Sequence, residues 1–340
     1  MQVANTAVVN TKNIKWIEGD VTDAYFCKST DYLYILTQNP NAIWVKAPGA
    51  DTLISHALAK SPNCMDITSD GKTVAIGYNQ ANVDLFDSFT LALKRSYETD
   101  CIPAEIVFGG NGWCYLTPTL DQWEYLYSLN LTSGVTYRRS TEYPIYAKAY
   151  FIKMPGKPFL YGTNPGLSPG GLMIVNITNG EANDTIANWH VETGGALWIS
   201  KDGKKIFAAN KRIFRLPEYT ANSNLQTDLP VLGTLDVPKG FIRSLDYNES
   251  LDCFFAAGSD FAWTASGAET IYQLNGINYS AEKSFKVGSY PAQADGVYNK
   301  PMDVFHLFSS PTGQRLYAVK KVSTSSALPL KWALEMIDVF

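Results

Sequence analysis

Apolar residues along this chain come in short runs, and the runs are punctuated by polar turns. Residues 68–78 read TSDGKTVAIGY and residues 200–210 read SKDGKKIFAAN. In each, a turn around Asp-Gly feeds a run of apolar and β-branched residues, the pattern of a hairpin tip entering a strand. The phrase returns every 40 to 60 residues or so, which predicts a radial array of small sheets.

A second pattern fixes the number of sheets. Seven segments carry apolar residues into a polar turn: AIWVKA (42–47), NVDLFD (82–87), LYSLN (126–130), LMIVN (172–176), RIFRLP (212–217), TIYQLN (270–275) and LEMID (334–338). Their last residues are 40, 43, 46, 41, 58 and 63 positions apart. Most end on Asp or Asn, whose side chains bond the following backbone and tolerate the left-handed region. These read as third strands. Seven second strands precede them, among them YLYIL (32–36), TVAIGY (73–78) and KIFAAN (205–210), each after a turn. Seven weaker first strands are DAYFC, CMDIT, AEIVF, AKAYFI, GALWIS, IRSLDY and DVFHLF.

The expected fold is all-β, a single seven-bladed β-propeller over 1–340. Its blades fall near 20–60, 61–99, 100–140, 141–189, 190–237, 238–288 and 289–340. The last third strand lies at the end of the chain, so the last blade lacks an outer strand. Segment 1–19 contains strand-like material, TAVVNTKNIKWIEG (6–19). It is expected to supply the missing strand and close the ring, which removes an open edge.

These strings resemble the YVTN-type β-propeller repeats of bacterial surface proteins, within the wider seven-bladed family that includes lactonase-like propellers. The family phrase is close to SPDGKxLYVAN followed by VxVIDxxT. Residues 200–210 match the first half; NVDLFDSFT (82–90) and ALEMIDVF (333–340) match the second. The resemblance covers about residues 20–340, and blades 3, 4, 6 and 7 depart from the phrase. It implies a surface or binding protein, some relatives being lactonases. No catalytic motif of the family carries over to residues of this chain.

Composition narrows the function classes. Net charge is −4 with no basic run, which argues against a nucleic-acid partner. No apolar run reaches the ~18 residues of a membrane-spanning helix. The start, MQVANTAVVN, has no signal-peptide pattern. The chain reads as the mature part of an exported protein, extracytoplasmic or at the cell surface, and as a monomer. The five cysteines, Cys27, Cys64, Cys101, Cys114 and Cys253, are dispersed, so neither a disulfide framework nor a zinc site is expected. No metal and no cofactor are expected. Five Asn-x-Ser/Thr triplets, at Asn130, Asn176, Asn183, Asn248 and Asn278, coincide with turns and read as turn chemistry.

Ligand sites are expected on the face that carries the second-to-third strand loops and the blade-to-blade connections. The longest insertions fall there: 163–171, 258–269, 288–301 and 320–331. They contribute Asp260, Phe261, Trp263, Tyr290, Asp295 and Tyr298 as candidate ligand-binding residues. Aromatics beside carboxylates suit a sugar ring, a peptide or a protein surface. The same rings would also serve to pin the loops onto the blades. His190, on the connection into blade 5, is the best single catalytic candidate. His56 falls on an outer strand and His306 inside a first strand near the channel. Asp66, Glu105, Asp246 and Asp303 lie on or beside first strands, where two of them could form an acid/base pair or bind Ca²⁺.

Two functions remain. The first is a non-enzymatic binding propeller engaging a glycan, peptide or protein. The second is a lactonase- or glycosidase-like hydrolase at the channel mouth. Three or more acidic or His side chains converging on the channel would favour the second; an aromatic shelf without such a cluster would favour the first.

Overall fold

The structure is a computed structural model that describes residues 13–120, 123–139, 144–164, 171–188, 191–216, 229–261, 267–290, 300–323 and 330–340. Among these residues there is no α-helix; the strands form seven four-stranded antiparallel sheets. Six sheets are simple meanders of four successive strands. The first strands are Asp20–Cys27, Pro62–Ile67, Pro103–Phe108, Tyr150–Lys153, Leu197–Ile199, Phe241–Asn248 and Met302–Ser309. First strands of neighbouring blades touch along most of the ring, so they form the wall of the central channel. The fold is the expected seven-bladed β-propeller, with all seven sets of strands where the pattern put them.

The seventh sheet closes the ring. Its first three strands are Met302–Ser309, Arg315–Val322 and Trp332–Asp338, and its fourth is Ile14–Ile17 from the other end of the chain. Ile14 pairs with Glu335 and Ile17 with Trp332. Ile17 is fully buried with Val319 and Leu334 in the core between blades 7 and 1. Ile14 packs with Tyr290, Met302 and Ala333.

The repeat phrases have direct local causes. At the Asp-Gly tips, Asp70 Oδ1 accepts from Lys72 N (3.1 Å) and Thr68 Oγ1 (2.7 Å), while Gly71 takes φ +71°. Asp202 and Gly203 repeat the arrangement. At the ends of third strands, Asp87, Asn130 and Asn275 each accept two backbone N–H groups of the following turn. A short side-chain acceptor there substitutes for backbone that the turn leaves unpaired. All five cysteines are buried and free.

The core lies between blades, as slabs of apolar side chains from facing sheets. Most polar positions accordingly lie in the turns, the outer strands and the channel, with a few buried ones, such as Lys320 and Asp84, on second and third strands.

Candidate functional site: the channel and its loop face

First strands are edge strands. Their channel-facing N–H groups have no further strand to bond, yet they sit deep in the molecule and need acceptors. The neighbouring blade supplies them. Asp23 of blade 1 accepts Met65 N of blade 2 (2.8 Å), and Asp66 of blade 2 accepts Phe108 N of blade 3 (2.7 Å). Across the ring, Ser244 accepts Leu307 N (3.0 Å) and Asp246 accepts Ser309 N (2.8 Å), both from blade 6 to blade 7. Asp23 and Asp66 each take a second N–H, from Ala24 and Ile67. Asp303 accepts Ala268 N (2.9 Å) and holds the base of the 258–269 insertion. These carboxylates stitch blades together.

Glu105 differs. The first strands of blades 1, 2, 3, 6 and 7 each carry a bulge near their start, and Asp23, Cys64, Glu105, Ser244 and His306 directly follow it. Glu105 therefore holds the position in blade 3 that Asp23 holds in blade 1. Its carboxyl, however, has no hydrogen bond and no ion pair among the described residues. Burial, and then the nearby Asp23 and Asp66, raise its pKa from 4.5 to about 8. Burial likewise raises Asp23 and Asp66 to about 7, against the pull of their backbone donors. All three keep a fraction of their surface open to the channel.

The opposite wall carries an arginine. Arg243 is the bulge residue of blade 6, and its guanidinium lies over the Phe305 ring of blade 7 at 4.9 Å. Its Nε is buried and finds no acceptor among the described residues. Burial lowers its pKa. His306 follows Phe305; burial, and then the Arg243 charge, push it down to about 3, so it is neutral across the physiological range. Tyr150 of blade 4 lies within electrostatic range of Glu105, Asp23, Asp66 and Arg243 and so links the two walls. Burial, then those acids, raise its phenol pKa. On the side of the turns, a cavity of ≈ 330 Å³ is lined by Tyr150, Trp198, Tyr247, Lys28 and Asp246. Lys28 of blade 1 reaches across to Asp246 of blade 6 (2.7 Å) and to the Tyr247 carbonyl, linking two blades at this end of the channel.

The loop face carries exposed rings. In blade 3, Leu120 and Trp123 are 65% and 64% exposed on the second-to-third strand loop. Trp123, at φ +66°, packs on Tyr146 of the connection into blade 4 (centroids 5.9 Å). Glu124 and Ile145 exchange backbone hydrogen bonds and fix that loop to the connection. In blade 6, Phe261 is 61% exposed, and Asp260 pairs with Lys239 at 2.8 Å. Tyr290 is buried edge-on against Trp16 (4.9 Å), a packing ring of the closure. Trp263, Asp295, Tyr298 and His190 lie outside the described residues. His56 sits on the exposed outer strand Ile54–Ala57 of blade 1, beside a rim groove of ≈ 460 Å³.

The structure thus brings Asp66 and Glu105 together, and places Asp246 and Asp303 elsewhere on the wall. The sequence reading missed Asp23, Arg243, Tyr150 and the pair Leu120 and Trp123. Asp23 and Arg243 were legible as polar interruptions in DAYFC and IRSLDY, in the strands already assigned to the channel. No three His, Cys, Asp or Glu side chains among the described residues are grouped to hold a metal ion. No helix among them is long and apolar enough to cross a membrane.

No family model matches the chain, and no curated protein matches it in sequence. Solved structures do match in shape. The β-propeller domain of Cps50 (Swd1) from Myceliophteria thermophila superposes with a TM-score of 0.66 at 12% identity, over 96% of this chain and 99% of that one. Hydrazine synthase of Kuenenia stuttgartiensis superposes with a TM-score of 0.62 at 11% identity, over 96% and 100%. At such identities the likeness is one of fold.

Proposed function

We propose that this propeller is a non-enzymatic binding or scaffold protein that grips a peptide or protein segment on its loop face. The observation that carries this reading is the presence there of exposed large apolar side chains in two places, Leu120 and Trp123 on blade 3 and Phe261 on blade 6. Large, rigid side chains held on fixed loops anchor partners at low entropic cost. The likeness of residues 82–90 and 200–210 to YVTN-type repeats supports a place at a cell surface.

Asp23, Asp66 and Glu105 converge on the channel as the hydrolase reading expects, but their titration does not divide the roles of acid and base. A general acid and a general base need pKa values pushed apart. Here Asp23, Asp66 and Glu105 are all pushed the same way, up. The test is a screen of the immobilised protein against peptide and glycan arrays, repeated with Trp123→Ala and Phe261→Ala. Peptide ligands that weaken by about 1–3 kcal/mol in either variant support the reading. Glycan-only binding, or ligands indifferent to both substitutions, would contradict it.

A hydrolase is the second reading, favoured by one observation: Glu105 holds its proton towards pH 8 beside two further carboxyls. Turnover of a lactone or glycoside that Glu105→Gln abolishes would establish it.

A further inference from the structure

Glu105 and Arg243 face the same lumen from blades 3 and 6, and neither has a hydrogen bond or ion pair from its side chain among the described residues. Opposite charges buried in one narrow space normally pair, because an unpaired buried ion is costly. Elsewhere this chain does pair them: Lys320 and Glu335 meet at 2.6 Å in blade 7. Glu105 and Arg243 are instead kept apart on separate, rigid strands. Arg243 is held back by its stacking on Phe305, and Tyr150 lies in range of both. Tyr150 also lines the ≈ 330 Å³ cavity, which therefore adjoins the charged section of the channel.

We propose that the channel binds a small zwitterion, a molecule with an ammonium group at one end and a carboxylate at the other. The ammonium lies against Glu105, with Asp23 and Asp66 behind it. The carboxylate takes the unmet donors of Arg243. Tyr150 packs along the linking carbons. The neutral His306 beside Arg243 adds no competing charge. The site is distinct from the exposed apolar side chains on the loop face, and the inference does not rest on their binding anything.

Binding requires Glu105 ionised, so each ligand that enters below about pH 8 displaces one proton from it. Affinity accordingly rises with pH from 6 to 8 while the ligand amine stays charged.

The experiment is calorimetric titration of the full chain with glycine, β-alanine, 4-aminobutyrate and 6-aminohexanoate, a ruler of charge separation. Butylamine and butyrate serve as single-charge controls. One or two neighbouring lengths should bind at one per chain, at least tenfold more tightly than either control. Glu105→Gln and Arg243→Met should each weaken that binding at least tenfold, with far-UV circular dichroism unchanged. Should Arg243→Met fail to fold, Glu105→Gln decides alone, being isosteric and free of lost partners. Binding by none of the four, equal binding of a single-charge control, or unchanged affinity in a folded Glu105→Gln overturns the proposal.

Discussion

Blade 7 and the channel wall bury the same kinds of group and treat them differently. In blade 7, Lys320 is wholly buried, and it is fully engaged: it contacts Glu335 at 2.6 Å and the Gly288 carbonyl at 2.5 Å. Glu335 in turn accepts Gly288 N at 2.9 Å. That network ties the base of the 288–301 insertion to the strand that Ile14–Ile17 completes. On the channel wall, Asp23, Asp66 and Asp246 are engaged in the same sense, each accepting a backbone N–H from the next blade. Glu105 and Arg243 sit among them with no hydrogen bond or ion pair from their side chains among the described residues. The lesson is that burial does not by itself separate structural from functional polar groups. Satisfaction does, and the two classes should respond oppositely to mutation.

The largest effect is expected where the structural network is removed whole. Deleting residues 1–17 strips the outer strand of blade 7, exposing the surfaces that Ile14 and Ile17 cover and orphaning backbone groups between Trp332 and Glu335. Two buried isoleucines at about 1.5–3 kcal/mol each, with the lost ladder, put the cost near 5 kcal/mol. Denaturant unfolding of the truncated chain measures it; a midpoint equal to the parent's would mean that the ring closes without this strand.

Next is Glu335→Gln, which leaves Lys320 buried beside a neutral amide. Breaking a buried pair from one side costs about 3–5 kcal/mol. Lys320→Met with Glu335→Leu, which removes both charges, should recover most of the loss. If the single substitution is silent in thermal unfolding, the network is not structural and the comparison fails.

Asp66→Ala should cost less, about 2–4 kcal/mol, by stranding Phe108 N and Ile67 N. It is best measured at pH 5, where the carboxyl carries its proton and only the lost acceptors count.

The pH profile sharpens the comparison further. A carboxyl whose pKa is raised on folding contributes stability that is complete below its ordinary value and is lost as pH climbs through its folded value. For Asp23 and Asp66 that window runs from 3.8 to about 7, and for Glu105 from 4.5 to about 8. Melting temperatures should therefore fall steadily between pH 5 and pH 8. Tyr25 and Tyr150 face the same acids, but burial raises their phenols further above this window, and His306 is already neutral within it. A flat profile would show that the acids are solvated as on an open surface.

The sequence disclosed the fold more fully than the site for a physical reason. Strand and turn are local: Asp70 and Gly71, or Asn130 before its turn, set their own geometry within four residues. Ring closure was legible because Trp332–Asp338 needed a neighbour and Ile14–Ile17 had none. The channel is built from one or two residues in each blade, about 40 to 60 positions apart. Asp66 and Glu105 could be named as wall residues, but which carboxylates the next blade's N–H groups would occupy depends on register. A bulge shifts that register by one, and placing Arg243 opposite Glu105 depends on the closed ring. The exposed loop-face residues split similarly: Phe261 was visible as an aromatic beside Asp260, whereas Leu120 and Trp123 occupy a short loop that length alone does not mark.

The most direct test of the distinction between engaged and unengaged buried charge is thermal unfolding of Glu105→Gln beside the parent at pH 5 and pH 9. Glu105 serves no backbone donor, so its amide should lose nothing at pH 5 and relieve a buried, crowded charge at pH 9. The account predicts equal melting temperatures at pH 5 and a variant higher by roughly 1–3 °C at pH 9. A variant that melts lower than the parent at both pH values would contradict it, since Glu105 would then be one more stitch between blades.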